Sequence, residues 1–410
     1  MVDGSRSRRK INNIMNHCLA GSTKIFLKNG KITTIADLVD AIKSGNLDLK
    51  DVHVATLDMY YRMAYRPVID VQKIPSPSML LYIKTRSGGE ISVTRDHKIL
   101  VDAPQGPKMV PAEELEIGQE IFSSNRIDID VNVDGLPSLL ELFLKTPENP
   151  FVTFSDKDVS IGINKAIKNE FGDLKVACQE LDIKYSRITD SYHKRRYTID
   201  ELERLGEEFS WGVEHWKLLS SKTSLVGVGR RRTDLAEDFN LYTRDFFYIL
   251  GFVASDGTVG IYEKTDQNGN IKGYTYKFGF DNSIKSVVEN TRDLVQKYIP
   301  DFNPKLKQNQ DGVWMCETSN LFLMRLVEVF GAKGRVKDEE SYHPIFRLPE
   351  NLIAGFLQGY FDGDGTVILR EKRIGLTVGK LPWSRAPDYD PEQTRHRAKN
   401  LQLLLKRLGI

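Results

Sequence analysis

The chain has 410 residues, more than one hydrophobic core usually serves, so a single small domain is excluded and several domains are expected. Hydrophobic residues at 40% and charged residues at 28% exclude a disordered tail. With 58 basic against 56 acidic side chains, a uniformly basic nucleic-acid binder is excluded too, and any such surface must come from local clustering. Cys18, Cys178 and Cys316 lie far apart and form no Cys-x-x-Cys pair, which argues against a sequence-local zinc or dithiol site and fits a reducing compartment. Arg6, Arg8, Arg9 and Lys10 are followed by Ile11-Asn12-Asn13-Ile14, not by the apolar core of a signal peptide. No stretch reaches the roughly 20 apolar residues of a membrane helix. A soluble cytoplasmic protein with no membrane partner is the expectation.

In chain order, residues 19–123 are expected to form short β-rich pieces: 23–27, a turn at Lys28-Asn29-Gly30, then 31–34, 52–57, 80–84 and 90–93, with one helix near 35–42. A polar joint at 123–134 leads to a stretch at 136–209 with apolar residues at helical spacing. Within it, residues 174–188 have helix-turn-helix spacing, with Cys178 as the small packed residue and the turn at Asp182. A basic run with aromatics, His193-Lys194-Arg195-Arg196-Tyr197, follows. Arg187, Lys194, Arg195 and Arg196 are the candidate DNA phosphate contacts. A solvated helical linker is the competing reading of this stretch. Cys316 falls in a strand pattern and is expected in the core.

From Tyr242 onward one pattern occurs twice. An apolar helix ending Ile249-Leu250-Gly251-Phe252-Val253-Ala254-Ser255-Asp256-Gly257 precedes two strands and a helix near 283–298. The second copy, Leu357-Gln358-Gly359-Tyr360-Phe361-Asp362-Gly363-Asp364-Gly365, lies 108 residues later and again leads to two strands and a helix near 394–408.

Two motifs near the N-terminus carry the first resemblance. Cys18-Leu19-Ala20-Gly21-Ser22-Thr23 and Ile91-Ser92-Val93-Thr94-Arg95-Asp96-His97, with Val110-Pro111-Ala112-Glu113-Glu114-Leu115 after them, resemble the N-terminal motifs of the intein branch of Hint domains. The resemblance implies an all-β, horseshoe-like fold at 18–123. It also implies that Cys18 attacks the preceding carbonyl to form a thioester, while Thr94 and His97 polarise that peptide and protonate its nitrogen. A thiol suits the attack because it is partly thiolate near neutral pH, and histidine suits proton transfer there. Residues 1–17 would be host sequence, an N-extein acting in cis, and the splicing step needs no cofactor.

The paired glycine-rich helices resemble the LAGLIDADG homing endonucleases. That resemblance implies an α/β fold with pseudo-twofold repeats, in which Gly251 and Gly359 let the two helices approach closely. Asp256 and Asp364 would be the catalytic acids and would hold Mg²⁺ for phosphodiester hydrolysis of double-stranded DNA by a monomer. The first motif has Ala254-Ser255 where the second has Asp362-Gly363, a departure that keeps the acid. Lys333 and Lys337 would supply a basic residue near the site.

The expected organisation is therefore an N-extein at 1–17, a Hint module at 18–123, a helical DNA-binding segment at 136–235 and an endonuclease at 240–410. By the resemblance the second repeat is incomplete and the C-terminal splicing motifs are lacking, so N-terminal cleavage is the self-processing expected of the chain as written. A DNA-binding element that neither splices nor cuts is the alternative.

Overall fold

The structure is a computed structural model that describes residues 18–410 apart from 59, 75–78, 130, 132–134, 145, 147, 186–195, 229–230, 268–270, 333–342, 371–372 and 379–390. The chain is a multidomain, mixed α/β protein of two compact units, Met1–Val131 with Leu405–Ile410, and Asn132–Leu404. Among the described residues no helix is long and apolar enough to cross a membrane.

The first unit is built from antiparallel hairpins. β1 (Lys24–Phe26) pairs with β2 (Ile32–Thr34) through a turn in which Gly30 takes φ 77°, a conformation that suits a residue lacking Cβ. α1 (Ile35–Lys43) follows at once, capped by the Thr34 hydroxyl, which accepts from the Asp37 N–H. Then come β3 (His53–Leu57) with β4 (Met63–Pro67), β5 (Leu81–Lys84) with β6 (Glu90–Val93), and β7 (Lys98–Val101) with β8 (Lys108–Pro111). Isolated bridges join these pieces, Leu19 to Val93, Leu27 to Val54 and Val101 to Ile121. Leu27, Leu38 and Val52 form a small core with Ile25, Ile42 and Val54 packed on it. The C-terminal residues belong here: Arg407 is 2% exposed and donates to the Ile127 carbonyl at 2.9 Å.

The second unit corrects one expectation. Residues 136–235 are not simply helical, because they hold a four-stranded antiparallel sheet ordered β10-β9-β11-β12. Its strands are β9 (Phe151–Phe154), β10 (Arg196–Thr198), β11 (Thr223–Val228) and β12 (Arg231–Asp234). Around them run α2 (Leu139–Phe143), α3 (Lys157–Phe171), α4 (Leu174–Glu180), α5 (Ile199–Glu208) and α6 (Val213–Ser221). The central strand β9 has Phe151, Val152 and Phe154 all buried, so the polar and apolar alternation that betrays a half-exposed strand is missing. The expected turn after α4 is present, with Asp182 at φ 49°, but most of the helix expected beyond it lies outside the described residues.

The sequence repeat is a structural repeat. α7 (Arg244–Asp256), β13 (Gly257–Thr265), β14 (Ile271–Asn282) and α8 (Lys285–Tyr298) make the first copy. β15 (Lys307–Gln308), β16 (Trp314–Thr318) and α9 (Leu321–Val329) extend it into a sheet ordered β13-β14-β16-β15. After the short α10 (His343–Phe346), the second copy is α11 (Glu350–Asp364), β17 (Gly365–Arg370), β18 (Arg373–Val378) and α12 (Pro391–Arg407). α7 is buried almost all round, from Phe246 to Ala254, as a helix apolar on every side must be. Phe252 meets Phe280 of β14 edge to face at 5.8 Å, which fixes the helix on its sheet.

Candidate functional site

α7 and α11 touch backbone to backbone. A Cβ on Gly251 would lie 1.9 Å from the Phe356 carbonyl oxygen, and one on Gly359 would lie 2.0 Å from that of Tyr248. Only glycine permits such contact, and the two contacts are equivalent under the repeat. Both helices stop at an aspartate, because Gly257 and Gly365 turn directly into extended backbone and begin β13 and β17. The acidic ends lie together: a Cβ on Gly363 would be 3.4 Å from Cγ of Asp256. That Cβ would also fall 2.0 Å from Oγ of Ser255, so the Ser255 and Gly363 difference between the motifs is a packing match. Ser255 fills the space that Gly363 leaves, and its hydroxyl donates to the Phe252 carbonyl at 2.9 Å.

The two carboxylates have different neighbours. Oδ2 of Asp256 accepts from the Asn282 amide at 2.8 Å, whereas Oδ2 of Asp364 lies 3.9 Å from Nη1 of Arg397 on α12. Tyr248 and Asp362 form a polar pair across the helices, while the equivalent positions hold Phe356 and Ala254, both fully buried. Burial, and then the Asp362 carboxylate, push the Tyr248 phenol up to about 12. Asn282 and Arg397 were invisible to sequence reasoning, since neither stands in a motif and each reaches its aspartate only through tertiary packing. The departure at Asp362 was visible, but not its partner.

For a metal, the donor set is two carboxylates at adjacent helix ends. Among the described residues no group of three or more His, Cys, Asp or Glu side chains converges. Hard oxygen donors, few in number, suit Mg²⁺, which keeps several waters and takes substrate oxygens for the rest of its shell. Lys333 and Lys337 lie outside the described residues.

In the first unit, the Leu19 to Val93 bridge brings Cys18 onto Thr94, 76 residues away. The Thr94 hydroxyl accepts from the Cys18 N–H at 3.0 Å, and the Thr94 N–H donates to the Cys18 carbonyl at 3.0 Å. The nitrogen in contact with that hydroxyl is therefore that of the peptide bond joining residues 17 and 18. His97 closes a turn on Thr94, donating its N–H to the Thr94 carbonyl at 3.1 Å, and its own carbonyl accepts from Ala112 at 2.8 Å. Cys18, Thr94 and His97 are all half-buried. Cys178 and Cys316 are buried, and burial pushes both thiols up, that of Cys316 to about 12, in keeping with packing roles.

Of the expected DNA contacts, Arg187, Lys194 and Arg195 lie outside the described residues. Arg196 is half-buried on β10, its guanidinium 3.4 Å from the centre of the Phe151 ring.

A family model described as a LAGLIDADG-like domain matches residues 351–410, the segment that holds nearly all of α11, the β17–β18 hairpin and α12. The chain carries a LAGLIDADG-like domain. The LAGLIDADG-like segment contains Gly359 and Asp364; Gly251 and Asp256 reach the same site from outside it. Curated relatives include an A-type ATP synthase subunit of Methanopyrus kandleri, 26% identical over 98% of this chain and 36% of that protein. Elongation factor 2 of the same organism is 24% identical over 96% of the chain and 29% of that protein. The reverse gyrase of Methanocaldococcus jannaschii is 22% identical over 85% of the chain and 18% of that protein. The chain thus spans about a third or less of each of these relatives.

Proposed function

We propose that the second unit is a homing endonuclease that cuts both strands of a specific DNA duplex, and that the first unit is a Hint module able to cleave its own backbone at Cys18. The observation that supports the nuclease reading is the glycine-mediated contact of α7 and α11, which brings together the helix ends that carry Asp256 and Asp364, with Gly363 next to Asp256. Mg²⁺ bound by these carboxylates would supply Lewis-acid activation of water and stabilisation of the leaving oxygen. Asn282 orients the Asp256 carboxylate by hydrogen bond, and Arg397 sets a positive charge beside Asp364. In the Hint module, Sγ of Cys18 attacks the carbonyl carbon of residue 17. The C–N bond is exchanged for a C–S bond and the freed amine takes a proton. Thr94 already contacts that nitrogen, and His97 is assigned the proton transfer.

The relatives favour an inserted element. A segment the length of this chain recurs as a minor part of proteins named for an ATP synthase subunit, an elongation factor and a gyrase, three names with no activity in common. Shared host chemistry does not explain that distribution; an insert carried by unrelated hosts does.

The nuclease test is incubation with Mg²⁺ and a plasmid library of random inserts, with sequencing of the linear products. Cutting at one motif, lost in Asp256→Asn and in Asp364→Asn with DNA affinity retained, supports the reading. Undiminished cutting by either variant sinks the paired-acid model, and binding without cutting at any Mg²⁺ concentration returns the chain to a DNA-binding element. The splicing half is tested by mass spectrometry of the chain with an N-terminal tag, before and after dithiothreitol. Release at the bond before Cys18, absent from Cys18→Ala, is the expected result; release that persists in Cys18→Ala removes that residue from its role.

A further inference from the structure

Neither the nuclease nor the Cys18 chemistry uses the motif Val110-Pro111-Ala112-Glu113-Glu114-Leu115 that stands out in the sequence. In the structure β8 ends at Pro111, and Ala112–Glu114 form a single 3₁₀ turn. The leading N–H groups of a helical turn have no partner inside it. Here they are spent on the loop between β6 and β7. The Ala112 N–H donates to the His97 carbonyl at 2.8 Å, and the Glu113 N–H donates to the Arg95 carbonyl at 2.9 Å. The start of the same loop is held by Cys18, whose carbonyl accepts from the Thr94 N–H at 3.0 Å. Thr94–His97 is therefore pinned at one end to the residue that attacks and at the other to the 112–114 turn. Ala112 is 5% exposed, and Pro111, at φ −58° and ψ 145°, leads the chain into the turn with no side-chain cap.

A 3₁₀ turn after a strand often does no more than redirect the chain. Redirection does not require both leading donors to reach into another loop, nor to straddle one of its residues, Asp96. We propose that the Ala112–Glu114 turn is a positioning clamp for self-cleavage: its two leading N–H groups fix the Arg95 and His97 carbonyls and thereby aim the His97 imidazole at the bond before Cys18. The inference rests on the self-cleavage reading of the first unit. A group that transfers a proton must be held within hydrogen-bond reach of the atom it serves. The loop's own bond, from the His97 N–H to the Thr94 carbonyl, leaves the carbonyls of Arg95 and His97 to be held from the 112–114 turn.

The test is a double-substitution cycle on the full chain with an N-terminal tag, in which dithiothreitol-induced release before Cys18 is followed by mass spectrometry. His97→Gln should slow release about a hundredfold. Ala112→Pro should approach that loss, since a small misplacement of a reacting group can cost about a hundredfold. Pro111 already has the extended backbone that a following proline needs, and proline suits the first position of a helical turn. The change therefore removes the N–H and crowds the His97 carbonyl without opposing the local fold. Ala112→Gly, which keeps the N–H, should retain most of the rate. The deciding variant is Ala112→Pro with His97→Gln: a clamp that acts through His97 makes it no slower than His97→Gln alone. Should Ala112→Pro fail to fold, Pro111→Gly, which loosens entry into the turn, goes through the same cycle with a smaller loss expected. Slowing by the same factor with and without His97 overturns the clamp and leaves the self-cleavage reading standing. Absence of thiol-induced release from the wild-type chain removes both.

Discussion

The two copies of the repeat share a backbone plan and differ in chemistry where they meet. In both, an apolar helix ends in aspartate and glycine and passes directly into a strand, and glycine meets glycine-facing backbone at equivalent points. Around that frame the equivalents diverge: Ser255 against Gly363, Tyr248 against Phe356, Ala254 against Asp362. Asp256 has a neutral amide beside it and Asp364 a guanidinium. Close packing of one such helix on the other is met by complementary pairs rather than identical ones. Duplication therefore preserves the helix crossing while the acids acquire unlike surroundings.

The largest effect expected is at the crossing. Gly251→Val and Gly359→Val each force a side chain into backbone atoms that cannot withdraw without separating the helices, and should cost ~3 kcal/mol or more, read as a fall in melting temperature. Gly162→Ala is the control, since a Cβ there meets nothing within 4 Å on the helical face of α3. It should leave stability unchanged or raise it by up to about 1 kcal/mol. Equal losses at all three positions would break the argument for close approach. Next comes the inequality of the half-sites. With the nicked intermediate resolved strand by strand, Asn282→Ala and Arg397→Gln should each slow mainly one strand, and opposite ones, by about tenfold, or ~1.4 kcal/mol of barrier. A uniform slowing of both strands would mean that the acids act as one shared centre.

How much of this was legible in the sequence depended on how locally each feature is encoded. The glycines, the terminal aspartates and the repeat period can be read directly along the chain, but that the two helices pack on each other through those glycines was implied by a resemblance. The Cys18 and Thr94 contact spans 76 residues and was reachable only through a resemblance. The four-stranded sheet was missed because its strands run three to six residues and its centre is apolar on both faces, a pattern that short buried strands share with helices. Asn282 and Arg397 carry no local signal at all.

A smaller effect is expected in the first unit. Thr94→Ala removes the hydroxyl from the amide of residue 18, and thiol-induced release of residues 1–17 should slow about tenfold, the worth of one well-placed hydrogen bond to a reacting group. An unchanged rate would leave Thr94 a structural role in joining the Leu19 and Val93 strands.

The smallest effect returns to the two helices and concerns their polar and apolar pairs. Tyr248 sits against Asp362, and burial followed by that carboxylate pushes its phenol up to about 12, whereas an exposed tyrosine in the unfolded chain titrates near about 10. Because the folded value is the higher, the stability Tyr248 confers is fully present below about pH 10 and is lost as pH rises through about 12. Tyr248→Phe copies the second helix, which already has Phe356 at the equivalent place, and removes this titration. The gap in unfolding free energy between wild type and Tyr248→Phe should therefore be constant from neutral pH to about pH 10 and shrink above it. A gap that stays constant through the alkaline range would mean that Tyr248 ionises as easily in the folded helix pair as in water, and that the polar pair is open to solvent rather than enclosed between the helices.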